Sequence, residues 1–452
     1  MRELKKLFLL TEKFYKKGVG SMNNFKFLAE RAEYRSFSKD CIDAEKAYQN
    51  SYDSCVKLVR TALDAAIKWV YVKKNKIPPE NLFDLIANAG LEKNLADKLH
   101  FCRKAGNAAI HNEKEFSADE AEQCLKNLFD FVQWIDAKYG KNFVPRSFNG
   151  EKNILQTEIC GIKLNTPIFA ASGTFGFGEE FENFVDLKKL GGVMVKCITL
   201  KPRRGNDGIR ITETPAGMLN AIGLENPGVE KFLSEILPRI KEKMNIIVNI
   251  SGSSVEDYGE LAKILDVDGV SAIELNISCP NVKDGGIIFG TDEKQAAKVT
   301  SAAKKSTKKP VIVKLSPNVT DITKIASACE NSGADCLSLI NTLMGMEINI
   351  HTWRPTLGNI TGGLSGGAIK PVAVRMVWQV ANAVKIPIIG MGGIRSAADA
   401  AEFFLAGASA VAIGTANFAE PSITMKIADD LEKYLRSCGL KNIRELVGKV
   451  KV

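Results

Sequence analysis

Two lysines, a cysteine and a row of asparagines recur at equivalent places in the second half of this chain, each at or just past the end of a short apolar run. Lys196 ends GGVMVK, Asn249 lies in IIVNI and Asn276 ends AIELN, with Cys279 and Asn281 just beyond it. Lys314 lies in VIVKL, and Asn341 and Thr342 follow CLSLI. A single amide or ammonium in apolar surroundings is ordinarily a core group satisfied by the protein. Six of them at the same end of successive runs point instead to a ligand that supplies the partners. Amides offer donors and an acceptor, and lysines offer positive charge. A mouth lined by both suits a planar, anionic, hydrogen-bonding heterocycle.

These residues need elements that bring the run ends together. Eight runs read as strands: Ile168–Ala171, Gly192–Lys196, Ile246–Ile250, Ala272–Ile277, Val311–Leu315, Cys336–Ile340, Pro387–Gly390 and Ala410–Ile413. Helical segments separate them, the signature of parallel βα units. Continuous apolar runs such as IIVNI and VIVKL fit strands buried on both faces. The expected fold is therefore α/β, a (β/α)₈ TIM barrel with its site at the C-terminal strand ends. The last two strands lead into GMGGI (Gly390–Ile394) and IGTANF (Ile413–Phe418), glycine-rich turns at the place where such barrels bind phosphate. Ile154–Glu158 and Lys163–Asn165 flank Cys160-Gly161 and predict a hairpin at the barrel's bottom.

Residues up to about Ala137 follow a helical period instead. Val56, Val59, Leu63, Ala66 and Val70 predict an amphipathic helix over Ser51–Tyr71. Asn81–Ala89, Leu91–Lys104 and Ser117–Tyr139 read the same way, the last capped by Ser117 ahead of Asp119 and Glu120. Met1–Lys17 is read as a further helix, not a signal peptide, because charges follow its apolar patch and no small-residue cleavage site appears. The domains expected are an all-α N-terminal domain over 1–139, a linker over 140–153 and the barrel over 154–452.

Composition bounds the functions. The 452 residues are 45% hydrophobic and 25% charged, values of a globular protein. No apolar run has the roughly 18 residues of a membrane span. Ten cysteines are scattered without a CxxC pair, against zinc, an iron–sulfur cluster or a disulfide framework, and fit reduced thiols in a cytoplasm. The formal charge of +9 is dispersed, so a solvated surface is favoured over nucleic-acid binding. No metal site is expected.

From Ile154 to about Tyr434 the chain resembles class 1 dihydroorotate dehydrogenases. The resemblance rests on ASGTFGFG (Ala171–Gly178), ETPAGMLNAIGLENPG (Glu213–Gly228), NISCPNVK (Asn276–Lys283), VKLSPNV (Val313–Val319), NTLMGM (Asn341–Met346), GGLSGGAIKP (Gly362–Pro371) and GMGGI, in that order. It implies oxidation of dihydroorotate to orotate in UMP biosynthesis with FMN as cofactor. Cys279 is then the base, Lys196 lies between flavin and substrate, and Lys314 steadies charge on the flavin. A thiol ordinarily titrates near pH 8.5 and serves as a base once positioned and shielded from water. Lys196, Asn220, Ala221, Ile222, Gly223, Leu224, Asn276, Asn281, Asn341 and Thr342 are the implied substrate contacts. For FMN the resemblance implies Ser172, Lys196, Cys197, Asn249, Asn276, Lys314, Ile340, Gly366, Gly392, Gly393, Gly414 and Thr415.

The form of ETPAGMLNAIGLENPG is close to that of the branch that passes electrons to NAD through a subunit carrying FAD and an iron–sulfur cluster. Gly367 stands where the fumarate-reducing branch places a lysine and where the NAD-linked branch often has proline. Cysteine rather than serine at 279 separates the chain from the quinone-dependent class. The alternatives are the fumarate-dependent branch and dihydropyrimidine dehydrogenase, which shares an NxSCP loop but takes an uncharged ring. A homodimeric core is expected.

LHFCRKAGNAAIHN (Leu99–Asn112) resembles HEPN-like helical domains, some of which are ribonucleases using an Arg and a His. Seven residues separate Arg103 from His111, more than that pair's spacing. An interaction module, with Asn107 and His111 hydrogen-bonding between helices, is therefore expected ahead of an RNase.

Overall fold

The computed structural model describes residues 23–141, 143–146, 148, 153–277 and 286–451, without the side chains of 286–288. It divides into a helical unit drawn from residues 1–152 with Arg436–Gly439, and a barrel unit drawn from Asn153–Leu435 and Leu440–Val452. The helix expected at Met1–Lys17, and Cys279 and Asn281, lie outside the described residues. Among the described residues no helix is long and apolar enough to cross a membrane.

Eight strands close the barrel: β1 Ile168–Ala170, β2 Gly192–Ile198, β3 Ile246–Ile250, β4 Ala272–Asn276, β5 Val311–Lys314, β6 Cys336–Leu339, β7 Ile388–Met391 and β8 Ala410–Ile413. All pair in parallel with their sequence neighbours, and β8 returns to β1. Helices including Val255–Ile264, Glu293–Ser306, Ile322–Asn331, Lys370–Ala381 and Ala397–Ala406 connect them. Strand alternation sorts the side chains. On β3, Ile246, Val248 and Ile250 join the helix-facing core, whereas Ile247 joins a separate cluster with Met194, Ala272, Ile312 and Cys336. Each such aliphatic, fully buried, contributes about 1.5–3 kcal/mol.

The period of two then decides which polar residues face inward. Lys196, Asn249, Glu274, Asn276, Lys314 and Ser338 each lie two or four residues beyond an inward apolar residue of their strand. The hairpin Thr157–Ile159/Ile162–Leu164 closes the other end, with Ile159 and Leu164 in the inward cluster. Its two-residue turn holds Cys160 at φ 50° and Gly161 at φ 79°, both in the left-handed region that a tight hairpin turn requires.

The helical unit contains α1 Arg35–Tyr48, α2 Tyr52–Lys73, α3 Leu82–Asn88, α4 Lys93–Ile110 and α5 Ala118–Tyr139. The α2 stripe Val56, Val59, Leu63, Ala66 and Val70 is fully buried. Ser51 caps α2, and Ser117 and Glu120 form a capping box on α5. α4 runs to Ile110, past the Lys104 end expected from sequence. Gly106, a helix breaker by propensity, is where the Arg60 stem of α2 packs, and a Cβ there would come within 2.4 Å of Arg60 Cβ. Asn107 Oδ1 accepts from Arg60 Nε at 2.7 Å, the interhelix bond expected of it. His111 does not follow suit: it is the exposed C-cap of α4. Arg103 lies on α4 about 12 Å back along the axis, at 1.5 Å per residue, with its guanidinium over Phe83. The helix does not bring the two together.

Candidate functional site

A cavity of about 680 Å³ opens at the C-terminal end of the barrel strands. Lys196, Lys314 and Asn276 line it from inside the barrel, and Ile340, Asn341 and Thr342 line it from the turn after β6. Lys314 is only 6% exposed. Neither lysine forms an ion pair or a side-chain hydrogen bond among the described residues. A buried ammonium without a counter-ion is unfavourable, so this wall is built for an anionic or electron-rich guest. The positive field is already felt at the rim: the Arg210 guanidinium, then the Lys196 ammonium, hold the Glu225 carboxyl below its ordinary value.

The amides are tied to one another. Asn341 Nδ2 donates to Asn276 Oδ1 at 3.3 Å, and Asn220 Nδ2 donates to Gly363 O at 3.3 Å. Asn220 belongs to a four-stranded antiparallel sheet that the sequence reading missed. It is made of Leu343–Met346, Thr361–Ser365, Gly217–Asn220 and Ile211–Thr214, in that order. Its strands come from the β2–β3 and β6–β7 connections and form one side of the mouth. Ile222, Gly223 and Leu224 follow it along the rim. Ala221 turns away: its side chain is fully buried with Leu219 and Leu357, so only its neighbours face the cavity.

Ser172, Cys197, Gly366, Gly392, Gly393, Gly414 and Thr415 line the same space. Ser172 Oγ donates to Val195 O at 2.9 Å, and Thr415 Oγ1 donates to Ser365 Oγ at 2.8 Å. Gly393 has φ 80°, and a Cβ there would come within 2.8 Å of Gly366 O and 2.9 Å of Lys370 N. Only glycine lets these two turns approach, which leaves a backbone cradle of the kind that takes phosphate. Arg395, directly after GMGGI, also lines the cavity and was not singled out from sequence.

Asn249 lies beneath the mouth and does not line it. The residue is fully buried, its Nδ2 donates to Glu274 Oε2 at 2.5 Å, and its Oδ1 has no partner among the described residues. An orphaned buried acceptor, two unpaired lysines and a glycine cradle together fit a bound flavin mononucleotide, which offers ring N–H and hydroxyl donors, an electron-rich ring and a phosphate. Cys279 and Asn281, which follow Asn276 in the sequence, lie outside the described residues. Among the described residues no cluster of His, Cys, Asp and Glu has the makings of a metal site.

The closed eight-stranded barrel and the cavity at its C-terminal end, lined by two lysines, amides and glycine turns, have the architecture of a (β/α)₈ enzyme. A family model described as dihydroorotate dehydrogenase matches residues 154–435. The chain belongs to the dihydroorotate dehydrogenase family. It is 56% identical over 300 residues to "Dihydroorotate dehydrogenase B (NAD(+)), catalytic subunit" of Geotalea daltonii, an alignment covering 66% of this chain and 98% of the relative. The protein of the same description from Bacteroides thetaiotaomicron is 54% identical over 300 residues, covering 66% and 99%. Among solved structures, ligand-free DHODH from Eimeria tenella matches with a TM-score of 0.57 at 25% identity, covering 71% of this chain and 97% of that one. Its complex with ferulenol has the same TM-score at 24% identity, covering 71% and 94%, a likeness of fold. Residues 43–137 match a domain of unknown function, DUF4145, outside the residues 154–435 that the dihydroorotate dehydrogenase model matches.

Proposed function

We propose that the barrel oxidises dihydroorotate to orotate in pyrimidine (UMP) biosynthesis, using FMN and delivering the electrons to NAD through a partner subunit that carries FAD and an iron–sulfur cluster. The observation that carries this reading is the pair of lysines, Lys196 and Lys314, which form no ion pair among the described residues and line the mouth together with Asn220, Asn276 and Asn341. FMN supplies the hydride acceptor. Cys279 takes the proton from the ring carbon beside the one that gives up hydride. Lys196 offers its charge to ring and flavin alike, and Lys314 offsets the negative charge that gathers as hydride leaves. Asn220, Asn276, Asn281 and Asn341, with Thr342 and the Ile222–Leu224 backbone, orient the ring by matching its N–H and C=O edges. Asn276 and Asn341 are held for this by their mutual hydrogen bond.

The relatives described as NAD(+) catalytic subunits support the electron acceptor. So does Gly367, where a Cβ would stand 3.0 Å from the Arg395 guanidinium carbon, a poor setting for the lysine of the fumarate-reducing branch. The nine described cysteines are all free thiols, in keeping with a reducing cytoplasm. Ile350 and Trp353, 75% and 88% exposed, support a homodimeric core. The helical unit is proposed as an interaction module. The test supplies dihydroorotate to the isolated FMN-loaded chain. Artificial dyes should be reduced and NAD hardly at all, until the FAD and iron–sulfur subunit is added. Rapid NAD reduction by the pure chain, or efficient fumarate turnover, overturns the reading.

A further inference from the structure

Directly under the cavity, Asn249 of β3, Glu274 of β4 and Ser338 of β6 form a polar layer with no exposure to solvent. The strand register places Asn249 beside Glu274 on the inner face. Glu274 receives two hydrogen bonds, from Asn249 Nδ2 at 2.5 Å and from Ser338 Oγ at 2.6 Å. No cation lies within ion-pair distance of it among the described residues. A carboxylate only accepts hydrogen bonds. It therefore fixes which way the Asn249 amide is turned, with the NH₂ toward Glu274 and Oδ1 away from it, and Oδ1 is the atom left without a partner among the described residues.

We propose that Glu274 is a positioning residue: held by Ser338, its carboxylate turns the Asn249 amide so that an acceptor awaits an N–H or O–H donor of the flavin. This rests on the FMN reading above. Glu274 touches neither substrate nor flavin and acts through Asn249 alone. In Glu274→Gln the side chain gains a donor in place of an acceptor. Because the Ser338 hydroxyl accepts as well as donates, the new NH₂ can face either neighbour; the Asn249 amide is no longer held one way, and in its turned-over state a donor faces the flavin's donor.

The test is fluorescence titration of the flavin-free full chain with FMN, with circular dichroism to check folding. Glu274→Gln should bind FMN about two- to threefold more weakly, the loss expected when the amide divides its time between the two orientations. The double variant Glu274→Gln/Asn249→Asp moves the carboxylate to the neighbouring strand. It restores an acceptor toward the flavin while accepting from the new glutamine, and should regain most of the lost affinity. A side chain that merely fills the core predicts no such recovery. Unchanged FMN affinity in Glu274→Gln, or no recovery in the double variant, overturns the proposal. If Glu274→Gln does not fold, Ser338→Ala serves in its place: it removes one of the carboxylate's two donors and should weaken FMN two- to threefold, about 0.5 kcal/mol, and unchanged affinity overturns the proposal equally. Failure of the wild-type chain to bind FMN at all would instead remove the flavin reading on which this rests.

Discussion

Replacing Lys314 by methionine should make the flavin-free protein more stable and the loaded enzyme far slower. The ammonium is 6% exposed and has no counter-ion among the described residues. Burying an ion without a partner costs several kcal/mol in a dry interior. Here the ammonium borders a cavity of about 680 Å³ that admits water, so the relief should be smaller, about 1 kcal/mol. Methionine keeps the length and apolar stem of the side chain, so little packing is lost. In a barrel of this size that gain raises the unfolding midpoint by about 2 °C, read by calorimetry as the barrel's own transition because two units need not melt together. In the proposed mechanism the same charge steadies the electrons arriving from dihydroorotate. Its loss should slow flavin reduction about 100-fold or more, as removal of one preorganised electrostatic group does elsewhere, or about 2.7 kcal/mol of barrier. Stopped-flow reduction without oxygen measures it. A Lys314→Met variant that melts earlier and is reduced within a few-fold of the wild-type rate would refute the reasoning on both counts.

Cys279→Ala should retain FMN yet lose most flavin reduction by dihydroorotate at neutral pH, and Cys279→Ser should recover activity only at higher pH; near-normal reduction by the alanine variant removes this thiol from the mechanism. Burial alone would raise the Asp399 carboxyl, but the Lys370 ammonium, the Arg395 backbone N–H and Ser396 outweigh it and hold the group below its ordinary value. Its stabilisation is thus complete above the unfolded carboxylate value of about 3.9 and is lost as pH falls through the lower folded value. Lys370→Met should therefore move acid unfolding, followed by circular dichroism, to higher pH; an unmoved or lowered midpoint contradicts the assignment.

The barrel was legible because its strands are buried on both faces and separated by helices, and all eight appear where the apolar runs place them. The inward direction of Lys196, Asn276 and Lys314 follows from the period of two. The four-stranded sheet at the mouth was not legible. Its strands are short and partly exposed, Ile211–Thr214 alternating between exposed and half-buried, and they pair across two distant connections. Asn220 could be reached only through the family resemblance. Glu274 was open to view as a charge inside AIELN, but which neighbour it serves depends on register. α1 was passed over, and α4, expected to end at Lys104, runs on through Gly106 and Asn107 to Ile110. The space Gly106 leaves for Arg60 is a tertiary fact.

The measurement closest to the central claim is an oxygen-free titration of the FMN-loaded chain with dihydroorotate, following the visible absorbance of the flavin. The band should bleach in proportion to substrate, complete near one equivalent per flavin, while uncharged dihydrouracil leaves it unchanged. A flavin that dihydroorotate does not bleach, or that dihydrouracil bleaches as readily, would contradict a site built by Lys196, Lys314 and their amides for a carboxylated ring.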